Sequence, residues 1–268
     1  DIQPNADITQ ERIDKVRELD KETAYVWALS DVYDGCRDFT GEVAFFIEQV
    51  TGHIIPDFRP VLKRGINAIM ADLDSALATD PEEKRSGHRA MRAALEAVMI
   101  LAERYRALAI EKATAATEQD RHRFERIADV LGRIPAEGCH TLYEAIQAFM
   151  LMWQVMCLEQ APNPFAISVG NADRIFEPYR AKENLTREDT AALLKHLLVF
   201  YNVGDRSWAI SQNLIISGRD NDGNDLTNLT SYALLDAYYD MNLPQPILSV
   251  KLHRNTPHKL YEEMGRFF

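Results

Sequence analysis

The sequence predicts a mostly α-helical fold that turns into α/β after about residue 162. Two observations support this prediction. Apolar residues recur at three- and four-residue spacing through the first two-thirds of the chain, as at Leu95, Met99 and Ala102. Later come β-rich runs bounded by turn residues, at 213–217 and 246–250. With 268 residues, 46% of them hydrophobic, the chain is long enough to form a buried core.

The helical elements are predicted in order along the chain. Thr9 can cap a first helix, and apolar residues between 58 and 73 share one helical face. A long helix is predicted over 91–116. Capping-box spacing opens two further helices, at 141–144 and, with Asp in place of Glu or Gln, at 186–189.

The last third of the chain is predicted to contain a parallel sheet. A strand at 213–217, a helix over about 227–239 and a strand at 246–250 indicate a βαβ unit, because parallel strands need a crossover of this length. The run 199–203 fits either a helix end or a strand. No low-complexity linker interrupts the sequence.

Composition excludes several classes of protein. A net charge of -11 without a run of Lys or Arg argues against nucleic-acid binding. No apolar run approaches the roughly 20 residues of a membrane span, and no signal peptide is evident. The three cysteines lack disulfide or zinc spacing, so we expect no metal and a reducing cytoplasm. The acidic run 220–225 lacks EF-hand spacing and is interpreted as a turn.

Five motifs occur in order between residues 50 and 260. They are GHIIPDF and VLKRG at 52–65, IADVLGRIPA and TLYEAIQ at 127–147, SVGNAD with PY at 168–179, QN with SG and DGNDLTN at 212–228, and PQPILSVKLH at 244–253. Together they resemble the N-terminal portion of the glycyl radical enzyme superfamily, in the dehydratase and lyase branch of pyruvate formate-lyase-like proteins. Asn171 and Lys251 depart from the family pattern, which usually has Arg there, and Ser217 replaces a Gly.

The resemblance implies an incomplete glycyl-radical-enzyme-type β/α barrel with a helical N-terminal region. We expect residues 1–140 to form that helical region and 141–268 to form the first part of the barrel, within one incomplete domain. The implied function is a radical lyase or dehydratase of anaerobic metabolism, acting on a small polar metabolite. The resemblance also implies a homodimer, and a radical-SAM activating enzyme that installs the glycyl radical.

The resemblance also implies that this chain has no catalytic residue of its own. The family's thiyl Cys follows the strand that PQPILSVKLH resembles, and its radical Gly lies later still. Cys36, Cys139 and Cys157 are interpreted as buried thiols. The chain opens without Met and closes inside an apparent helix, so we expect a truncated polypeptide that is inactive alone. A helical scaffold or binding protein, or a catalytically dead relative retained for assembly, stays open as an alternative.

Five residues are predicted to bind substrate by the same resemblance. They are His53, Asp57, Ser168, Ser211 and Gln212. Structural roles fit some of them as well. Pro56 and Asp57 suit the start of a helix, and Ser168 could satisfy a turn before Gly170. We predict that Asp173 anchors the helix after it or pairs with a cation, and that His253 is a core or interface residue.

Overall fold

In the computed structural model the chain divides into two units, Asp1–Val50 and Thr51–Phe268. The structure describes residues 52–159, 165–207 and 212–268, with four exposed helical residues of the first unit, Glu11, Asp14, Lys15 and Glu18. The account below is of the second unit. This unit is mostly helical and contains short parallel strands, so the predicted change from α to α/β is confirmed.

The helices of the second unit differ greatly in length, and the longest has 34 residues. In chain order they are α1 Arg59–Arg64, α2 Ile66–Thr79, α3 Glu82–Ala115, α4 Glu118–Leu131, α5 Leu142–Glu159, α6 Ala172–Glu183, α7 Arg187–Ser207, α8 Leu229–Met241, α9 His258–Met264 and a 3-10 turn Gly265–Phe267.

The strands form two small sheets. They are β1 Gly52–Ile54, β2 Phe165–Ile167, β3 Gly170–Asn171, β4 Asn213–Ser217 and β5 Ile247–Lys251. β1 pairs with β2, and the second sheet has the order β3-β4-β5, with every pairing parallel. The β4-α8-β5 segment is therefore the predicted βαβ unit, and β4 has the predicted bounds. The ambiguous run 199–203 lies within α7.

Glycine separates α1 from α2, where the apolar pattern alone predicts one helix. Gly65 has a φ of 78°, which side-chain-bearing residues rarely adopt. A Cβ atom there would lie 2.4 Å from the backbone of Ala136 and Glu137. The amides of Ile66 and Asn67 donate to the carbonyls of Pro135 and Ala136, at 2.8 and 3.0 Å. The chain therefore turns at Gly65 to pack on this loop.

Aromatic rings form the centre of the hydrophobic core. Phe149 of α5 packs edge-on against Phe58, Phe176 and Tyr201, with ring centroids 4.7, 6.1 and 5.8 Å away. All four are at most 2% exposed. Edge-to-face rings stabilise beyond their burial. This core holds α5, α6 and α7 on one side of the three-stranded sheet, where Leu214 and Ile216 of β4 join it.

An ion cluster ties the last helices to α7. Arg187 binds Asp236 of α8 and Glu263 of α9, with Nε to Oδ2 and Nη1 to Oε1 distances of 2.5 and 2.7 Å. Arg266 reaches the same two carboxylates, at 2.6 and 3.0 Å. The hydrogen bond from Arg187 is the largest cause that lowers the pKa of Glu263 to about 2. No helix among the described residues is long and apolar enough to cross a membrane.

Candidate functional site

The three-stranded sheet has two unlike faces. Successive side chains of a strand point to opposite faces, and Leu214 and Ile216 lie in the core. Asn213 and Ile215 therefore lie on the other side of β4. The parallel register places Ser249 beside Ile215. We call this second side the open face, defined by the following residues of β3, β4 and β5: Asn171, Asn213, Ile215, Ile247, Ser249 and Lys251.

The open face carries polar groups that lack hydrogen-bond partners. Asn213 donates its backbone N–H to Ser168 Oγ at 3.0 Å and its Nδ2 to Ser249 Oγ at 3.1 Å. Its Oδ1 is buried and has no partner among the described residues, and the same holds for Asn171 Oδ1. Buried polar atoms are nearly always paired. The open face therefore contains two buried acceptors without partners, and a hydroxyl or ammonium group that reached them could donate to each.

A cleft of about 210 Å³ adjoins this face. Asp57, Asn171 and Arg174 are among the residues that line it. Asp57 lies before α1 and holds Arg59 at 2.7 Å, and the hydrogen bond from Arg59 lowers the pKa of the Asp57 carboxyl. Asp57 Oδ1 also accepts from the Arg59 backbone N–H at 3.2 Å. α1 begins at Arg59, so the predicted start of this helix at Pro56 is wrong, while Asp57 does lie at its N-terminus.

The predicted substrate-binding residues are not all described. The side chain of His53, on β1, and the whole of Ser211 lie outside the described residues. Ser168 is buried and its hydroxyl accepts from the β4 backbone. Gln212 is fully buried, and its Oε1 lies 3.4 Å from the donating Trp153 Nε1. The structure thus brings Ser168 and Gln212 together beside the open face, and Asp57 into the neighbouring cleft.

A buried carboxylate fixes the carboxyl end of β4. Asp173 is in the first turn of α6, and its Oδ2 accepts from Ser217 N and from Ser231 Oγ, both at 2.6 Å. Ser217 has a φ of 63°, which glycine adopts more readily than other residues. This conformation explains why the motif that Ser217 departs from has Gly at this position. Burial is the largest influence on Asp173 and raises its pKa. Asp173 anchors more than its own helix, because it joins α6, β4 and α8.

The loop after β4 is held by side chains. Asp220 Oδ1 accepts from the backbone of Asp222 and Asn224 at 2.9 and 2.8 Å, so the acidic run is a turn. His253 follows β5, is buried, and its Nε2 lies 3.0 Å from Asp225 Oδ1. No group of His, Cys, Asp or Glu within the described part of the chain is arranged to hold a metal ion.

The two described cysteines are buried. Cys139 and Cys157 are 7% and 1% exposed, and burial raises the pKa of each thiol to about 12. A thiol with such a pKa stays protonated near neutral pH. These two therefore match the predicted buried thiols, whereas Cys36 lies outside the described residues.

Sequence reasoning missed three polar residues of the site. Asn213 and Ser249 share the open face, and strand alternation from Leu214 could have revealed this. Arg174 follows Asp173 and donates from Nη2 to the Ser217 carbonyl at 2.8 Å. Its place at the cleft depends on the meeting of α6 with β4, for which the sequence carries no local signal.

The order of elements and the motifs agree with one protein family. Residues 8–268 match the family described as pyruvate formate lyase-like. The chain belongs to the pyruvate formate lyase-like family. This membership confirms the predicted relation to the glycyl radical enzyme superfamily, as an N-terminal portion.

Similar proteins in this family include lyases and dehydratases. An isethionate sulfite-lyase of Nitratidesulfovibrio vulgaris is 26% identical over 79% of this chain and 28% of its own length. The glycerol-bound B12-independent glycerol dehydratase of Clostridium butyricum has a TM-score of 0.72 at 26% identity, covering 79% of this chain and 29% of its own. A glycyl radical enzyme of Archaeoglobus fulgidus has a TM-score of 0.76 at 22% identity, covering 97% and 37%.

The matches cover most of this chain but only a part of each relative. The chain spans 28% of the length of the isethionate sulfite-lyase that it matches. These comparisons therefore establish the family and the fold of this part.

Proposed function

We propose that the protein carrying this chain is a glycyl radical lyase or dehydratase that acts on a small polar metabolite. In this proposal the open face forms one wall of the substrate cavity. The observation that carries the proposal is the pair of buried, unpartnered oxygens, Asn171 Oδ1 and Asn213 Oδ1. Two donor groups of a substrate, such as two hydroxyls, would satisfy them, and an unmet buried acceptor costs about 1–3 kcal/mol.

The proposed barrel continues beyond β5. Ile247, at the start of this strand, and Leu252, directly after its end, are each 46% exposed. Large apolar side chains beside an edge strand favour pairing with a further strand. We propose that additional strands extend the sheet here and close a β/α barrel around the open face.

The predicted site residues take two kinds of role in this proposal. Asp57, His53 and Ser211 are proposed to contact substrate. Ser168 and Gln212 hold β4 in place through Asn213 N and Trp153, and contact substrate from the same end. The carboxylate of Asp57 is compensated by Arg59, so this pair suits orientation of a polar group better than proton transfer.

The radical chemistry is assigned to residues outside this chain. We propose that the protein is homodimeric and cytoplasmic, that it works under anaerobic conditions, and that a radical-SAM activating enzyme installs its glycyl radical. This chain supplies the wall that binds and orients the substrate.

Anaerobic activation tests the proposal. The protein is incubated with a radical-SAM activating enzyme and S-adenosylmethionine, and then with glycerol or isethionate, the molecules named for the two relatives above. We expect an organic radical signal by electron paramagnetic resonance and consumption of one substrate. A protein that gives no radical signal after activation would refute the assigned class.

A further inference from the structure

A second cleft lies between α1 and α6, with a volume of about 350 Å³. Four cationic residues line it, two from each helix: Arg59, Lys63, Arg174 and Lys182. This size falls within the range of small-ligand sites, which is about 300–1,000 Å³. We call it the cationic cleft.

Helical spacing explains why the four cations meet. Arg59 and Lys63 are four residues apart on α1, so they lie on one face of that helix. Arg174 and Lys182 are eight residues apart on α6, two steps of four, and so also share a face. The two helices turn these faces toward the same cleft.

Two of the four cations of the cleft, Lys63 and Lys182, have no ion-pair partner within the described part of the chain. Its lining contains no Asp or Glu. Lys63 and Lys182 are exposed and form no ion pair with any described residue. Arg59 pairs with Asp57, and Arg174 donates to a backbone carbonyl while its buried Nε lacks a partner. In a chain of net charge -11, such a cluster favours a bound anion.

The floor of the cleft is apolar. Leu62, Ile175 and Tyr179 are among its lining residues. Burial raises the pKa of Tyr179 to about 12, so its hydroxyl is neutral and can donate. Cations at the rim and an apolar floor together suit a molecule with a charged end and an apolar body.

We propose that the cationic cleft binds a small organic phosphate whose apolar body rests on Ile175 and Tyr179. Lys63 and Lys182 hold the phosphate by charge, and the guanidinium of Arg174, which also lines the cleft, adds positive charge. The cationic cleft adjoins the cleft that contains Asn171, since Arg59, Arg174 and Ile175 line both. Lys63 and Lys182 line the cationic cleft and not its neighbour.

Calorimetric titration with 1-naphthyl phosphate tests the proposal. Inorganic phosphate and 1-naphthol serve as probes of the charge and of the apolar body alone. We expect 1-naphthyl phosphate to bind about tenfold tighter than either, and to weaken as salt rises. The variant Lys63→Gln/Lys182→Gln should lose about tenfold in affinity. The matched control Lys84→Gln/Lys112→Gln, which removes two exposed lysines of α3 that do not line the cleft, should change it less than about twofold.

Three outcomes overturn the proposal. One is equal loss of affinity in both double variants, which would mean a general charge effect. The second is binding of 1-naphthol as tight as that of its phosphate, and the third is no binding of the phosphate at all. Because both lysines are exposed, the variants should melt like the wild type, and the salt dependence of the wild type gives a readout that needs no variant.

Discussion

The two faces of the β3-β4-β5 sheet differ in what covers them. Leu214 and Ile216 point into an aromatic core and are fully buried, whereas Ile215, between them, lies on the open face and is half-buried. One strand of five residues therefore carries stability on one side and hydrogen-bonding groups on the other. The difference teaches that the open-face side chains Asn213 and Ser249 lie outside the apolar core, and we expect them to be available for binding.

Neighbouring isoleucines give the largest expected contrast. Ile216→Ala should lower the free energy of unfolding by about 2–5 kcal/mol, since it leaves a cavity in a packed core. Ile215→Ala removes the same atoms from the open face and should cost less than about half as much. Urea denaturation of both variants measures the difference. Equal losses of stability would show that the two faces of β4 do not differ in their contribution to the fold.

Asp173 joins α6, β4 and α8 at the carboxyl end of β4. Asp173→Ala should destabilise by roughly 2–4 kcal/mol, because it leaves Ser217 N and Ser231 Oγ without their acceptor. Asp173→Asn keeps an acceptor and should recover part of the loss, as judged from denaturant midpoints. Burial raises the pKa of Asp173, so its contribution is fullest at low pH and declines as pH rises through the raised pKa. If Asp173→Asn were as unstable as Asp173→Ala, the loss would not come from the missing hydrogen-bond acceptor.

The ion cluster that Arg187 and Arg266 form with Asp236 and Glu263 gives a pH dependence of the opposite sign. Hydrogen bonds from Arg187 lower the pKa of Glu263 to about 2, so its stabilisation is present above its ordinary pKa of 4.5 and is lost as pH falls toward 2. Glu263→Gln should cost roughly 1–3 kcal/mol at pH 7 and much less near pH 3. Melting temperatures at the two pH values measure this. A loss that does not depend on pH would argue against the charge as its cause.

Lys251 provides the smallest expected effect on stability. It is exposed at the end of β5 on the open face, so Lys251→Gln should change the free energy of unfolding by less than about 0.5 kcal/mol. A loss of 2 kcal/mol in the same urea experiment would show that the open face is part of the folded core.

The sequence predicted the local features of this fold well. The strand at 213–217, the parallel βαβ unit and the capping box at Thr141 and Glu144 are confirmed, since each depends on neighbouring residues. The long helix begins at Glu82 and not at 91, because its first turns are polar and have no apolar period. The break at Gly65 depends on a loop about 70 residues away, so local periodicity could not show it.

The candidate site was predicted less completely than the fold. Ser168 and Gln212 were named from motifs, and they do lie beside the open face. Their hydrogen bonds to Asn213 and Trp153 span 45 and 59 residues, and follow from the strand register and the packing of α5. No pattern within one segment contains that information. Arg174 and the cationic cleft likewise depend on the packing of helices distant in sequence.

The proposed substrate wall is tested most directly by steady-state kinetics of Asn213→Ala in the activated protein. With glycerol or isethionate, whichever the wild type consumes, kcat/KM should fall by about tenfold or more, while the melting temperature stays within about 2 °C of the wild type. Ser75→Ala, an exposed change on α2, serves as the control. An unchanged kcat/KM in Asn213→Ala would contradict the assignment of the open face to substrate binding.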